Sequence, residues 1–321
     1  MCYGLGGTAP TVTDANLVLG YLNASKPLAD GIRMDLGLAE AAIRRLAEAL
    51  GLQPIEAALG IVRVANANMV RALRNVTVDR GIDGRRCTLV AFGGAGPLHA
   101  ATLARDFGIR MVVVPAFSSA YSALGCAVAD LSYTQQRTVR MASRAWLPER
   151  VARLRNELLA AMAFDDGAKA NGVMVEDTAL VRYVGQSYSV EVPYRYPAKV
   201  AMLTRDFRAM HEQLYGFSTE EDWELEAIRV TASAATRRIE VRPPRTTEGT
   251  NPAPTSIAPC WFSAARAIET PRYRRDEIAP GVRINGPAIV EDEWSTITLP
   301  PDTALEATPA GHLVLSCEGT L

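Results

Sequence analysis

The chain has 321 residues, is 48% hydrophobic and 21% charged, and carries a formal net charge of -1. This is a globular composition, long enough for two or three domains, without the basic excess that nucleic acid or an acidic membrane surface selects. No stretch has the apolar length of a bilayer span, and MCYGLGGTAPTVTD lacks the basic-then-apolar order of a secretory leader.

In chain order, Thr13 or Asp14 is placed to cap a short helix over 15–22, and 23–34 reads as a loop. Asp35 precedes a helix to Leu50, with Leu38, Ala42, Ile43, Leu46 and Leu50 on one face and Gly51 as its stop. Pro54 opens a long helix to about Arg80. Asn66 and Asn68, poor helix formers, sit in its middle as a local conflict. Residues 88–92 read as a buried strand, 93–96 as a glycine turn, 97–107 as a helix closed by Gly108, and 109–114 as a second strand. That order is one βαβ unit. A helix is expected over 122–131.

Beyond this point the spacing predicts a strand over 134–141, a helix over 148–170, and paired strands over 178–184 and 188–192. A helix capped by Thr204 should run to Tyr215, and a bent strand over 225–241. The Pro- and Thr-rich stretch over 243–260 reads as a linker, and 261–321 as a small β-rich domain. The expected division is 1–131 as an α/β lobe, 132–242 as an α+β domain, then the linker and the β-rich tail.

Five scattered cysteines, Cys2, Cys87, Cys126, Cys260 and Cys317, form no CxxC pair, which argues against disulfides or zinc and suits a reducing cytoplasm. They have no adjacent base or cation and read as structural. Three distant histidines make a His-rich metal site unexpected.

The best local motif is Phe92-Gly93-Gly94-Ala95-Gly96-Pro97-Leu98-His99. A glycine turn between strand and helix lets backbone approach a ligand, and the helix start offers unpaired N–H groups, with nucleotides the usual guests. It is neither GxxxxGK[ST] nor GxGxxG, and glycines kept for turn geometry alone are the alternative. His99 either touches a base, ribose or phosphate, or is a packing or capping histidine. Asp14 and Asn16 either serve Mg²⁺ or a phosphate, or cap a helix.

His211, with Glu212 and Tyr215, suggests proton transfer. Adjacent helix residues point about 100° apart, however, so His211 and Glu212 cannot readily share a proton, and an interface helix is the alternative. Arg182, Tyr183, Gln186, Ser187 and Tyr188 surround Gly185 as a recognition surface or as turn and cross-strand pairs. Glu291, Asp292 and Glu293 read as a solvated acidic edge.

The segments Cys2-Tyr3-Gly4, Gly6-Gly7, Pro10-Thr11-Val12-Thr13-Asp14-Ala15-Asn16 and Leu19-Gly20 resemble the hydantoinase A / 5-oxoprolinase family. So do Val64-Ala65-Asn66-Ala67-Asn68-Met69, the glycine turn through His99, Ser122-Ala123-Leu124-Gly125, Arg182-Tyr183-Val184-Gly185-Gln186-Ser187-Tyr188, Gly286-Pro287-Ala288-Ile289-Val290-Glu291 and Ser295-Thr296. The resemblance runs nearly end to end. It implies an actin-like ATPase (ribonuclease H-like) lobe using ATP and Mg²⁺ to cleave hydantoins or 5-oxoproline, or to carboxylate ketones such as acetone.

By this resemblance Gly93, Gly94, Ala95, Gly96 and His99 match the adenosine-side turn. Catalytic residues stay unassigned, with Asp14, His99 and His211 as candidates and Asp14 as the candidate metal ligand. The DxGGTxTD phosphate loops are absent from the chain. A separate N-terminal half carrying them and a hydantoinase B-like subunit are therefore expected partners, with the chain alone inactive. A non-catalytic remnant or assembly subunit is the reading from another class. Arg208 stands where the family often has a histidine, and Ser189 where an acidic residue is common.

Overall fold

The computed structural model describes residues 1–27, 31–162, 172–197, 199–235 and 252–317. The chain divides into two compact units, one of Met1–Leu124 with Val241–Leu321 and one of Gly125–Glu240.

The first unit begins with helix α1 (Val12–Val18). Its N-cap is Thr11, and Asp14 at the third helical position bonds back to Thr11, a reciprocal capping box. The helix therefore starts three residues before the expected Ala15, because the Thr11–Asp14 spacing, with Asp in the usual Glu place, sets its first turn. Helix α2 (Leu36–Leu50) is capped by Asp35 and ended by Gly51 in the left-handed region, as expected. Its buried face is Ala39, Ala42, Ile43 and Ala47, while Leu38 and Leu50 are exposed. Small residues let α2 lie close against its neighbours, so the buried stripe is rotated from the one the leucines suggested. Helix α3 (Pro54–Val78) follows, then β1 (Leu89–Val90), α4 (Gly96–Phe107), β2 (Met111–Val114) and α5 (Tyr121–Val128), within which the first unit gives way to the second after Leu124. β1 and β2 are parallel, Leu89 facing Val112, so the βαβ unit is present.

The second unit contains β3 (Leu131–Ala142), α6 (Pro148–Ala160), β4 (Val173–Tyr183), β5 (Val190–Pro193), α7 (Val200–Tyr215) and β6 (Trp223–Ala234). The sheet order is β3-β6-β4-β5, antiparallel throughout. Along β6 the buried residues alternate, and Val151 and Leu158 of α6 and Leu203 and Phe207 of α7 join its core. Thr204 does not cap α7. It lies one turn inside, its hydroxyl donating to Val200 O at 2.9 Å and accepting from Trp223 Nε1 at 3.1 Å. The expected extensions of α6 over 163–170 and of β6 over 236–241 lie outside the described residues.

The tail returns to the first unit with β7 (Ser256–Cys260), β8 (Ile268–Arg274), β9 (Arg283–Asn285), β10 (Ala288–Glu291), β11 (Thr296–Leu299), β12 (Thr303–Ala307) and β13 (Leu313–Cys317). β7 falls within the stretch read as a linker and pairs with β8. It also abuts the end of α1, where a Cβ on Gly20 would strike Pro259 O.

Two sheets result, β1-β2-β13-β12-β9 and β11-β10-β8-β7. β13 pairs antiparallel with β2, Leu315 facing Val112. The tail strands thus share a core with α4 and β2, where Ala100, Ala104, Val112 and Val114 meet Leu299, Leu305 and Leu315. This differs from the separate tail domain of the sequence reading. The reason is that β1 and β2 are too few to make a sheet, and short apolar strands carry no local mark of their partner.

Replacing Leu315 with Ala should therefore lower the stability of the first unit by about 2–5 kcal/mol, whereas Leu50→Ala, at a 59% exposed position, should change it by less than about 0.5 kcal/mol. Urea-unfolding midpoints of the two variants measure the difference.

Candidate functional site

A cavity of about 380 Å³ lies in the first unit between the N-terminal segment, the glycine turn and the β10–β11 connection. Its wall includes Asn16, Lys26, Gly94, Ala95, His99, Glu291 and Trp294. The volume is in the range of small-molecule sites.

The glycine turn faces this space. Gly93 has φ +83°, donates its N–H to Ser118 O at 2.7 Å, and would meet nothing within 4 Å if given a Cβ. Its glycine is thus required by backbone conformation and not by crowding. Gly94, Ala95 and Gly96 are exposed, and α4 starts at Gly96 with no side chain capping its N-terminus. Backbone N–H groups and the positive end of the helix are left for a ligand.

His99 is 7% exposed and sits in the first turn of α4. Its Nδ1 lies 2.8 Å from Asn66 Oδ1. With an amide oxygen there, Nδ1 carries the proton and Nε2 is left as an acceptor. Burial lowers the His99 pKa, so the ring is neutral near pH 7. Asn66, the poor helix former in the middle of α3, is 2% exposed and exists in that helix as the partner of His99.

Asp14 is fully buried and does not line the cavity. Its carboxylate accepts from Cys2 N at 2.8 Å, Thr11 N at 2.7 Å and Thr11 Oγ1 at 2.8 Å. Burial alone would raise its pKa, but the hydrogen bonds from Thr11 and Cys2 outweigh it and hold the carboxyl below the usual value. Asp14 is thus committed to holding the N-terminal segment onto α1. No group of three or more His, Cys, Asp or Glu among the described residues is arranged to hold a metal. Cys2 is buried beside it, and burial, with Asp14 adjacent, pushes its thiol up to about 11. Asn16 lines the cavity and donates Nδ2 to Val12 O at 2.9 Å.

Of the acidic run read as a solvated edge, Glu293 is exposed, but Glu291 is buried and Asp292 half-buried, and both are paired. Glu291 is 9% exposed and accepts from Arg272 Nη1 at 2.9 Å, and Arg272 also donates to Gly20 O. Lys26 Nζ donates to Asp292 O at 3.0 Å and lies 3.9 Å from Glu291. Arg275 Nη1 pairs with Asp292 at 3.4 Å and donates to Ser118 Oγ at 3.1 Å. Its Nη2 donates to Val114 O, Pro115 O and Gly311 O. Burial lowers the Arg275 pKa and Asp292 opposes the shift, but a guanidinium stays charged. Lys26, Arg272, Arg275 and Trp294 were not identified by sequence reasoning. Their partners are distant in the chain, and no spacing signals them.

In the second unit His211 is fully buried. Its Nδ1 bonds Phe217 O at 2.8 Å and its Nε2 bonds the Gln186 amide at 3.0 Å. Rings of Tyr183, Phe207, Tyr215 and Phe217 surround it at 4.7–5.7 Å. Both nitrogens are engaged, and Glu212 points to solvent. Arg208 pairs with Glu220 at 2.7 Å. Gln186 Oε1 accepts from Tyr183 N at 3.1 Å, Arg182 pairs with Glu224 at 2.7 Å, and Ser189 donates to Glu226. These residues form a braced corner around Gly185.

The Asp14→Asn variant should lose about 1–3 kcal/mol of stability at pH 7, because two donors of the capping segment then face an amide. The Asp14 pKa is lowered on folding, so its stabilisation is full above the unfolded value near 4 and fades as pH falls through the folded value. The variant should accordingly show a shallower acid limb in melting temperature against pH.

Residues 1–135 match the family described as hydantoinase/oxoprolinase, and 134–308 match the hydantoinase/oxoprolinase C-terminal domain. An uncharacterized protein of Methanocaldococcus jannaschii is 37% identical over 308 residues, 94% of this chain and 44% of that protein. The caprolactamase alpha subunit of Pseudomonas jessenii is 31% identical over 333 residues, 98% of this chain and 47% of that subunit. The crystal structure of the ATP-dependent caprolactamase from the same organism aligns with a TM-score of 0.82 at 30% identity, over 99% of this chain and 48% of the other. A nucleotide-free acetone carboxylase aligns with a TM-score of 0.69 at 22% identity, over 98% and 47%, and shares the fold. The chain spans about half the length of these relatives. Both solved structures have the actin-like ATPase fold, and the α/β lobe here is of that class. From residue 1 to residue 308 the chain belongs to the hydantoinase/oxoprolinase family.

Proposed function

We propose that this chain is the C-terminal part, or a subunit, of an ATP-dependent cyclic-amide hydrolase, and that its own share is the adenosine end of the nucleotide site. One observation carries this reading: the backbone of Gly94, Ala95 and Gly96 is exposed at the uncapped start of α4, beside a cavity of about 380 Å³. The likeness to the ATP-dependent caprolactamase supplies the reaction class.

In this reading the turn's N–H groups donate to ribose or α-phosphate oxygens, and neutral His99 offers Nε2 as an acceptor to a base or ribose donor. ATP, when bound, supplies a phosphoryl group that makes an amide oxygen a better electron sink. The chain's residues bind and orient. Among the described residues no acidic set fits Mg²⁺, Asp14 being committed to its cap. The phosphate loops then lie in the half of the relatives' length that this chain does not cover, whether on the same polypeptide or another, and a hydantoinase B-like subunit is the expected partner. The relatives' remaining length, about half, leaves room for the loops. A cytoplasmic setting is part of the proposal, supported by five free cysteines. The acetone carboxylase likeness supports a ketone carboxylase subunit as the alternative, with the same nucleotide end.

Calorimetric titration tests the reading. Adenosine and ATP should bind the chain weakly and within about threefold of each other, with or without Mg²⁺, because the charged end has no cradle. Gly93→Val, which forces a β-branched residue to φ +83°, should abolish that binding, and His99→Leu should weaken it about tenfold with the melting temperature as control. Equal binding by Gly93→Val, or ATP held far more tightly than adenosine, overturns the assignment. ATP turnover with caprolactam, hydantoin, 5-oxoproline or acetone, assayed after adding a polypeptide bearing the phosphate loops, selects the substrate. No turnover with any of them favours a non-catalytic role.

A further inference from the structure

Two side chains of the cavity beside the glycine turn, Trp294 and Asn16, are used neither by the turn nor by His99. Trp294 is 49% exposed and belongs to none of the apolar cores. Its backbone lies against the turn, the carbonyl oxygen 3.6 Å from where a Cβ on Gly94 would stand. The segment that carries it is nonetheless fixed. Asp292 N donates to Ser295 O at 2.8 Å, and Glu293 N donates to Asp292 Oδ1 at 2.8 Å. Lys26 donates to the Asp292 carbonyl and Arg275 pairs with its carboxylate. An indole left open to water on a braced turn is a wide flat apolar face with few rotatable bonds to immobilise. That suits stacking on a planar ring.

Asn16 is 2% exposed and lines both this cavity and a smaller one, of about 310 Å³, behind His99. Its Nδ2 is committed to Val12 O at 2.9 Å. Its Oδ1 has no partner among the described residues and is not closed off from solvent. A side chain this deeply buried with an open acceptor favours a bound molecule that brings a donor. Nucleobases differ at the matching position. Adenine carries an amino group, which donates, whereas guanine and hypoxanthine carry a carbonyl oxygen, which would meet Oδ1 lone pair to lone pair.

Resting on the nucleotide reading given above, we infer that this cavity selects its base. The Trp294 indole stacks on a purine, and Asn16 Oδ1 accepts from the 6-amino group, so adenine is taken and 6-oxo purines are rejected. His99 Nε2 is then left for a ribose hydroxyl.

Nucleoside binding to the chain, followed by tryptophan fluorescence and by calorimetry, tests this. Adenosine should quench the native chain saturably and leave Trp294→Leu unquenched. Trp294→Leu should also weaken adenosine about tenfold, with an unchanged melting temperature because the position is exposed. Inosine, in which a carbonyl replaces the amino group, should bind the native chain at least about tenfold more weakly than adenosine. In Asn16→Ala that preference should fall to about one. The ratio does not depend on how much of the variant is folded, so it reads the contact and not stability. Equal binding of adenosine and inosine by the native chain, a preference kept in Asn16→Ala, or unweakened adenosine binding in Trp294→Leu would overturn the inference. If Gly93→Val still abolishes adenosine binding in that case, the nucleotide reading survives it. No adenosine binding by the native chain overturns both together.

Discussion

The antiparallel ladder between β2 and β13 is the constraint on which the first unit depends. It joins the end of the βαβ unit to the last described strand and completes a five-stranded sheet that β1 and β2 cannot form alone. Arg275 locks the same junction from inside, donating to Val114 O, Pro115 O and Gly311 O while pairing with Asp292. A buried guanidinium is tolerable only when its donors are satisfied, so this arrangement is close to all-or-none. Its consequence is functional. The β10–β11 connection is held beside the glycine turn, and the cavity exists because residues far apart in the chain are fastened at this point.

Much of the local structure was legible in the sequence. Asp35 and Gly51, Pro54, Gly108 and Gly216 punctuate the helices where the structure ends or begins them, because these residues act through local backbone chemistry. What escaped was set by partners far along the chain. The tail strands are short, and nothing in Leu313–Cys317 names Met111–Val114 as its neighbour. Arg272 and Glu291 form a buried pair across two strands, and the acidic run looked solvated because its cations lie elsewhere. The Asn66 conflict was a usable signal. An asparagine that weakens a helix, 2% exposed, is explained by the histidine it orients, yet sequence alone does not say which histidine.

His99 and His211 gave similar readings as isolated residues, and their surroundings separate them. His211 has both nitrogens engaged and four aromatic rings around it, so moving a proton there means breaking a satisfied buried network. His99 has one nitrogen tied and one free of partners among the described residues, between two cavities. A neutral ring with a fixed tautomer is a directional acceptor. The Tyr183–Gln186 corner is of the first kind: Gln186 serves Tyr183 with one end and His211 with the other. Its motif specifies packing in the second unit.

On the proposed nucleotide reading, charge decides which end the cavity beside the glycine turn would suit. Lys26 lies against Glu291 and Asp292, Arg272 against Glu291, and Arg275 against Asp292. Each of these cations is committed to an acid within 4 Å, and the wall offers no surplus positive charge to a triphosphate. Exposed backbone N–H groups at the start of α4 and a neutral imidazole remain. Those groups match the weakly charged, hydrogen-bonding face of a nucleoside, whereas a polyphosphate demands concentrated positive charge or a metal ion. If the cavity takes a nucleotide as proposed, these ion pairs leave no free cation for its β- and γ-phosphates, which would then be held by another protein surface.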